Sequence, residues 1–415
     1  SSEMGHATNS RKAHTMGLEE VVTAGADTIA GDPLVTDLRH FHPQIGALGK
    51  LPEGKLAVVK RIARGVHCDV FRCRWARQGK ENINVAGKKV HEAATKCRRN
   101  IEHNERSAHL KLGGRGKPCL EDPLTEIGVL QYLAKQPDAP MYLLRMHCAF
   151  LDGDSAWLLT EYAEGGDLFD EVSRHGKLPE PTTRRYMGEL LQAVAYLHKH
   201  RIGHRDISLE NVLLKSGTIR LMDFGMAAQS HASCGTPLRY FRATGKDFYR
   251  APECYVPPCN SVEVEVPGGA RPGSIASVKT GGGCYCEVLL PKDAVPGGQC
   301  VAQVYGYELP PCDVFSVGVC LCIMFTGCPL WGRATLADRR FALALERDVV
   351  ALMAAWGVEA PSSSLGALMR CTTSPRPCER WSADECLSCH WLADLAGEEE
   401  LWLRPQGPAM DAASA

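Results

Sequence analysis

Two aspartates and an asparagine stand at fixed steps in the stretch His204–Gly225, and their types suit the transfer of a phosphoryl group. Asp206 follows His204-Arg205, Asn211 comes five residues later, and Asp223 of Asp223-Phe224-Gly225 comes twelve residues after that. Phosphoryl transfer asks a protein for little covalent chemistry; it asks for positioning and for neutralisation of charge. A carboxylate at Asp206 can accept the proton of a hydroxyl nucleophile. An amide oxygen at Asn211 and a carboxylate at Asp223 can hold Mg²⁺, which takes oxygen ligands and keeps several waters. Either short motif alone could arise by chance, whereas both in this order, with the asparagine between them, make chance a poor account.

The elements that would carry these residues can be read from apolar patterning. Val212-Leu213-Leu214 and Ile219-Arg220-Leu221-Met222 are short apolar runs separated by Ser216-Gly217, which predicts two strands and a tight turn. Upstream, Leu56–Ile62 and Val70–Trp75 read as a hairpin around Gly65, and Asn84–Val90 as a third strand. That strand offers Lys88 or Lys89, which must face opposite sides because side chains alternate along a strand. Pro123–Lys135 reads as a helix, with Ile127, Leu130, Leu133 and Ala134 on one face, Asp122-Pro123 at its start and Glu126 in its first turn. Tyr142–Tyr162 predicts two strands turning at Asp152-Gly153-Asp154, and Thr182–His200 an amphipathic helix leading into the central stretch.

Composition sets bounds. The 415 residues carry 47 Lys+Arg against 48 Asp+Glu, a net charge of -1, so nothing marks the chain for nucleic acid or for a membrane surface. The 19 cysteines are scattered, which fits a reducing compartment better than a disulfide framework. Cys386 and Cys389 form a CxxC with no second pair at zinc-finger spacing, and packing explains it better than a metal. The uncharged run Val314–Trp331 is broken by Gly and Pro and reads as a buried helix, not a membrane span. The chain opens on Ser-Ser-Glu-Met-Gly-His without a secretory pattern and reads as a fragment. An intracellular, cytoplasmic location is the default expectation, with export or membrane targeting open to a missing N-terminus.

The motifs resemble the protein kinases, whose catalytic pattern H-R-D-L-x-x-x-N is followed by D-F-G. Ala251-Pro252-Glu253 matches A-P-E, Val85-Ala86-Gly87-Lys88 resembles V-A-I-K, and Asp313-Val314-Phe315-Ser316-Val317-Gly318 resembles D-V-W-S-x-G. The resemblance implies an α+β bilobal protein kinase fold, with a β-rich N-lobe and a helical C-lobe. The expected boundaries are a tail at 1–50, an N-lobe at 51–160 with a basic insertion at 91–120, a C-lobe at 161–403, and a tail at 404–415. It also implies the roles: Asp206 accepts the hydroxyl proton, Lys88 holds the phosphates of ATP, and Glu126 pairs with Lys88. Asn211 and Asp223 bind Mg²⁺. Gly65 and Val70 cover the phosphates, Glu161 and Ala163 meet the adenine through their backbones behind a Thr160 gatekeeper, and Asp167 reaches the ribose. Arg205 would pair with a phosphate on the activation segment, which holds Ser230, Ser233, Thr236 and Thr244. Asp313 would hold the catalytic loop from below or cap a helix, and Arg380 would be the buried partner of Glu253.

Several departures point to a narrower resemblance. The three glycine positions of the phosphate loop read Ala63, Gly65 and Cys68. Ser208 stands where Ser/Thr kinases carry Lys, and Lys246-Asp247-Phe248-Tyr249-Arg250 precedes A-P-E. About fifty extra residues follow A-P-E and contain a 24-residue repeat: Val264-Glu265-Val266-Pro267 with Pro272-Gly273, then Val288-Leu289-Leu290-Pro291 with Pro296-Gly297. Alternation bounded by Pro and Gly predicts a small β subdomain at 258–308. Together these features are similar to the FIKK family of apicomplexan kinases, although the name-giving Phe-Ile-Lys-Lys reads Ala86-Gly87-Lys88-Lys89 here. The resemblance implies ATP- and Mg²⁺-dependent phosphorylation of Ser or Thr in protein substrates by a monomer, with basic flanks favoured by Glu210 and Asp167. The alternative is a nucleotide-binding pseudokinase that acts as a scaffold through its insertions.

Overall fold

The computed structural model describes residues 48–393 except 53, 66–67, 91–121, 154, 233–234, 242, 258 and 281–284. The expected N-terminal tail up to residue 47, the insertion 91–120, Ser233 and the C-terminal tail therefore lie outside the described residues.

The first half of the described chain is an antiparallel five-stranded sheet. Its strands are β1 (Lys55–Arg64), β2 (Cys68–Ala76), β3 (Ile83–Val90), β4 (Met146–Asp152) and β5 (Ser155–Glu161), in the order β1-β2-β3-β5-β4. Alternation along β3 divides its neighbours. Val85 joins Cys73, Trp75, Phe150, Trp157 and Leu159 in an outer cluster, while Val90 faces helix α1 (Pro123–Ala134) with Ile127 and Leu130. Gly87 lies on the outer side, where an added Cβ would come within 3.1 Å of the Trp157 ring and 3.2 Å of Cys73 Sγ. A large side chain at this point of the strand would have to displace that cluster.

Helix α1 starts where its cap chemistry says it must. Asp122 accepts hydrogen bonds from the Leu124 and Thr125 N–H groups, and Pro123, which has no N–H to lose, takes the first helical position. Glu126 sits in that first turn, near the positive end of the helix dipole.

The second half is mainly helical: α2 (Leu168–His175), α3 (Glu180–Lys199), α4 (Leu309–Thr326), α5 (Arg339–Glu346), α6 (Val349–Ala355), α7 (Ser363–Thr373), α8 (Ala383–Leu387) and α9 (His390–Ala393). Between α3 and α4 run two small antiparallel pairs, β6 (Ile202–Gly203) with β9 (Ala228–Gln229) and, as a hairpin between them, β7 (Val212–Lys215) with β8 (Thr218–Leu221). The β7–β8 turn has Ser216 at φ 49° and Gly217 at φ 78°, the left-handed pair that two-residue hairpins require. Helix α4 is long and apolar enough to cross a membrane by composition, but it is the core of this region; Val314, Phe315, Val317 and Leu321 are fully or almost fully buried. It begins at Leu309, four residues before the Asp313 start that the motif suggested. Pro310 and Pro311 are tolerated there because first-turn N–H groups have no intrahelical partner.

After Ala251-Pro252-Glu253 the chain forms a four-stranded antiparallel sheet from β10 (Ser261–Glu265), β11 (Ile275–Lys279), β12 (Tyr285–Leu289) and β13 (Gln299–Val304), in the order β10-β13-β12-β11. Val264, Val266, Val278, Cys286, Val288, Leu290 and Ala302 close its own small core. The 24-residue repeat is visible as reciprocal pairing. Glu265 faces Gln299 and Leu289 faces Ile275, and moving 24 residues up one strand and down its partner carries the first pair onto the second. The loops repeat it, with Val266 N–H donating to Gly298 O (2.8 Å) and Leu290 N–H to Ser274 O (3.0 Å).

Candidate active site

The side chains singled out for phosphoryl chemistry converge between the sheet and the helical region. Lys88 Nζ lies 2.6 Å from Glu126 Oε2 and 4.0 Å from Asp223 Oδ1. Lys89 turns to the other face of β3 and sits 5.6 Å above the Trp157 ring, so Lys88 is the lysine that enters the cleft. Helix α1 is tied to the aspartate by the backbone as well, since Asp122 N–H donates to Gly225 O at 2.8 Å. Asp223 is left-handed, with φ 62° and ψ 73°, a strained conformation that turns its carboxylate toward Lys88.

Asp206 and Asn211 form a fixed pair. Asn211 Nδ2 donates to Asp206 Oδ2 (2.9 Å) and to Asp206 O (2.7 Å), which leaves its amide oxygen directed the other way. Burial pushes the Asp206 carboxyl above its ordinary range; Lys246 and His204 pull it back, and the charge of Asp223 adds to the rise. The loop that carries Asp206 is held from beneath by Asp313, buried in the core helix α4. Asp313 accepts from His204 N–H and Arg205 N–H, both at 2.8 Å, and lies 3.0 Å from His198 Nε2. It is inside α4 rather than at its cap, a place taken by Glu308.

The donor set fits a hard cation. The Asn211 amide oxygen, which also accepts from Lys246 Nζ at 3.3 Å and keeps a second lone pair, and the 29% exposed Asp223 carboxylate are oxygen ligands of the kind that Mg²⁺ takes alongside water and phosphate.

On the sheet side, Gly65 and Val70 belong to the β1–β2 hairpin, and Gly65 N–H donates to Cys68 O at 2.8 Å. Residues 66–67 of that turn lie outside the described residues. Ala63 pairs with Val70, so a Cβ stands where the resemblance has glycine. Glu161 and Ala163 occupy the link between β5 and α2. The Glu161 carboxylate is buried and accepts from Arg145 N–H (2.9 Å), Lys215 Nζ (2.6 Å) and Arg220 Nε (3.2 Å), which locks the link to β7–β8. Asp167 is the N-cap of α2, accepting from Asp170 N–H at 2.8 Å, and burial raises its carboxyl above the usual range.

Two contacts were not legible in the motifs. Lys246 Nζ reaches back to Ser208 Oγ (2.5 Å) and Asn211 Oδ1 (3.3 Å), with Asp206 Oδ2 and Glu210 Oε2 each at 3.9 Å. Arg205 packs against two tyrosines. It is buried, with its guanidinium 4.8 Å over the Tyr240 ring and 3.4 Å from Tyr307 Oη. Tyr307 follows β13, and it exchanges backbone hydrogen bonds with Tyr240 at 2.9 Å in both directions. Arg239 is committed in the same way, to Glu287 and Glu308 at 2.5 Å each. The inserted sheet thus grips the activation segment through Arg239, Tyr240 and Tyr307. Beneath it, Arg380 makes a fully buried two-pronged pair with Glu253, at 2.5 and 2.7 Å.

Among the described residues no cluster of three or more His, Cys, Asp or Glu side chains could hold a metal, and Cys386 and Cys389 are buried free thiols; burial pushes Cys386 up to about 12.

Comparison with known proteins matches this arrangement. A sequence model of the protein kinase domain matches residues 56–265, half of the chain. The chain is 34% identical over 123 residues to CBL-interacting serine/threonine-protein kinase 7 of Arabidopsis thaliana, covering 28% of each chain. It is 35% identical over 122 residues to the protein kinase C epsilon type of Oryctolagus cuniculus, covering 28% of this chain and 16% of that one. It is 41% identical over 91 residues to CBL-interacting protein kinase 32 of Oryza sativa subsp. japonica, covering 20% and 21%. The matched stretch thus spans under a third of each relative's length. With a sheet that presents Lys88, a helix that presents Glu126 and a loop that presents Asp206 and Asn211, and with a family match running from β1 into β10, this chain belongs to the protein kinase domain family.

Proposed function

We propose that the chain is an active ATP-dependent protein kinase that phosphorylates Ser and Thr hydroxyls. The observation that carries this reading is the joint placement of Lys88, Glu126, Asp206, Asn211 and Asp223 around one cleft, with the Lys88–Glu126 pair closed at 2.6 Å. Lys88 orients the α- and β-phosphates, and Glu126 keeps its ammonium in the cleft. Asp206, fixed by Asn211, accepts the hydroxyl proton. Asn211 and Asp223 are the ligands for Mg²⁺, which when bound neutralises charge on the phosphates. The backbones of Glu161 and Ala163 meet the adenine, Asp167 the ribose, and Gly65 and Val70 lie over the phosphates.

The finer assignment we propose is FIKK-like, supported by the paired lysines Lys88-Lys89, the single glycine of the β1–β2 turn, Ser208, and the sheet inserted after Glu253. Protein substrates with basic residues near the acceptor are favoured by Glu210 and Asp167. A scaffold that binds nucleotide without transfer is the second reading, favoured by the Cβ atoms at Ala63 and Cys68 that limit close approach of backbone to phosphate.

Phosphate transfer from labelled ATP to mixed protein substrates, with Mg²⁺, tests this. Asp206→Asn should lower transfer by at least about 10²-fold while ATP with Mg²⁺ still raises the unfolding temperature. Equal transfer by the wild type and the variant defeats the reading, and stabilisation without transfer by the wild type selects the scaffold.

A further inference from the structure

A phosphoryl group in transfer carries its charge on peripheral oxygens, and the catalytic loop of this chain supplies neither a lysine nor an exposed arginine to the cleft beside Asp206. Arg205 is buried against Tyr240, and Ser208, two residues after Asp206, is fully buried and neutral. The cation present at this point comes from another segment. Lys246 Nζ contacts Ser208 Oγ at 2.5 Å and Asn211 Oδ1 at 3.3 Å, and stands 3.9 Å from Asp206 Oδ2. Its side chain is 36% exposed, and Glu210 Oε2 also stands 3.9 Å from the ammonium.

The backbone is built to bring it there. Gly245 has φ 77°, and a Cβ on it would fall 2.7 Å from Arg205 O and 3.3 Å from Asp206 Oδ1, so only glycine permits this approach. Lys246 N–H then donates to Asp206 Oδ1 at 3.1 Å. Arg250 clasps the turn from behind, donating to Thr244 O at 2.8 Å and also to Gly245 O. The Gly245-Lys246 turn is docked on the catalytic loop by backbone and side chain together.

We propose that Lys246 is a catalytic residue: from the activation segment it supplies the positive charge that neutralises the transferring phosphoryl group. Ser208 is the hydroxyl that anchors it. This rests on the reading of the chain as an active kinase. In the step, a lone pair of the acceptor hydroxyl oxygen forms the new O–P bond to the γ-phosphorus. The bond between that phosphorus and the bridging oxygen breaks, and its electrons leave on the β-phosphate of ADP. The hydroxyl proton passes to Asp206. Lys246 keeps its proton throughout and acts by charge and hydrogen bonding alone. Ser208 stands where Ser/Thr kinases carry Lys, and here the lysine at this spot comes from position 246, so moving it back to 208 tests the assignment.

The experiment compares Lys246→Thr, Lys246→Arg and the exchange variant Ser208→Lys/Lys246→Thr with the wild type, reading kcat, the KM for ATP and thermal stabilisation by ATP with Mg²⁺. Lys246→Thr should lose about 100-fold in kcat, the scale of removing one preorganised electrostatic contact, while KM for ATP changes by less than about threefold and nucleotide stabilisation persists. Lys246→Arg should retain more activity than Lys246→Thr. The exchange variant should return to within about tenfold of the wild type. Wild-type or faster turnover by Lys246→Thr overturns the proposal, the faster case marking Lys246 as a brake on Asp206. If Lys246→Thr is unstable, an exchange variant that regains stability but not turnover overturns it too. A wild type no more active than Asp206→Asn defeats the kinase reading itself, and an active wild type with an indifferent Lys246 defeats only this proposal.

Discussion

Replacing Arg239 by Met removes the cation that joins the inserted sheet to the activation segment. Arg239 lies 2.5 Å from Glu287 and from Glu308, with its guanidinium 4.4 Å over the Tyr305 ring. The side chains of Arg239 and Glu287 are only 15% and 13% exposed, whereas Glu308 is 30% exposed. Breaking a fully buried pair costs about 3–5 kcal/mol, and some access to solvent here brings that to about 2–3 kcal/mol. The more exposed Glu308 adds about 0.5 kcal/mol, for a total of about 3 kcal/mol. Burial pushes the Glu287 carboxyl up and Arg239 pulls it down, so losing Arg239 raises it further. The folded variant then holds a proton that the unfolded chain has released, and its stability falls as pH climbs through the raised value. The penalty is therefore largest at neutral pH and shrinks toward acid. Urea unfolding of the wild type, Arg239→Met, Glu287→Gln and the double variant, at about pH 5 and about pH 8, gives the coupling directly. Single effects that add without coupling, or a penalty that grows in acid, would refute the reasoning.

Other expectations can be checked alongside. Glu253→Ala, which strands the fully buried Arg380, should cost about 3–5 kcal/mol in urea unfolding; a loss under about 1 kcal/mol would contradict the buried-pair account. Asp206 must be ionised to accept a proton, and burial, helped by the charge of Asp223, raises its carboxyl against the pull of Lys246, His204 and Asn211, so the acid limb of kcat/KM should lie above the ordinary aspartate range. Lys246→Thr removes a group that lowers this pKa and should move that limb to higher pH; an unmoved limb counts against the charge contact. Thr160 is buried near the end of β5; under the proposed function it is a small gatekeeper behind the adenine, and ATP-competitive inhibitors with bulky groups there should bind. Insensitivity that Thr160→Gly relieves would contradict that expectation.

Much of the chemistry was legible because it rests on local order. Asp206, Asn211 and Asp223 lie on one continuous stretch, and the Val85-Ala86-Gly87-Lys88 pattern pointed to Lys88, with Lys89 the alternative on the opposite face. Their opposite faces follow from the pleat, but which face meets α1 depends on packing across the sheet. The motif at Asp313 marked the start of α4 too late, since the helix already begins at Leu309 with Pro310 and Pro311 permitted in its first turn. Long-range partners left no local signal. The Glu161 network joins residues 54 and 59 apart, Lys246 meets Ser208 across 38, and Arg205 meets Tyr307 across 102. Arg205 was expected to face a phosphate because its own motif says nothing about the tyrosines that cover it. The repeat after Glu253 announced strands by its Pro and Gly punctuation, yet not which copy would pair with which.

That pairing has a consequence for how the insertion can change. Among the described residues, no strand of either copy finds its long partner within its own copy: β10 lies on β13, and β12 on β11. Within the second copy β12 and β13 share only the pairs Val288–Val304 and Leu289–Gln303, so a chain with one copy would keep that short ladder and could make the long ones only with a second molecule. Duplication folds what would otherwise be a meeting of two chains into one. Because both copies lie on one chain, the hold on Tyr240 does not depend on concentration.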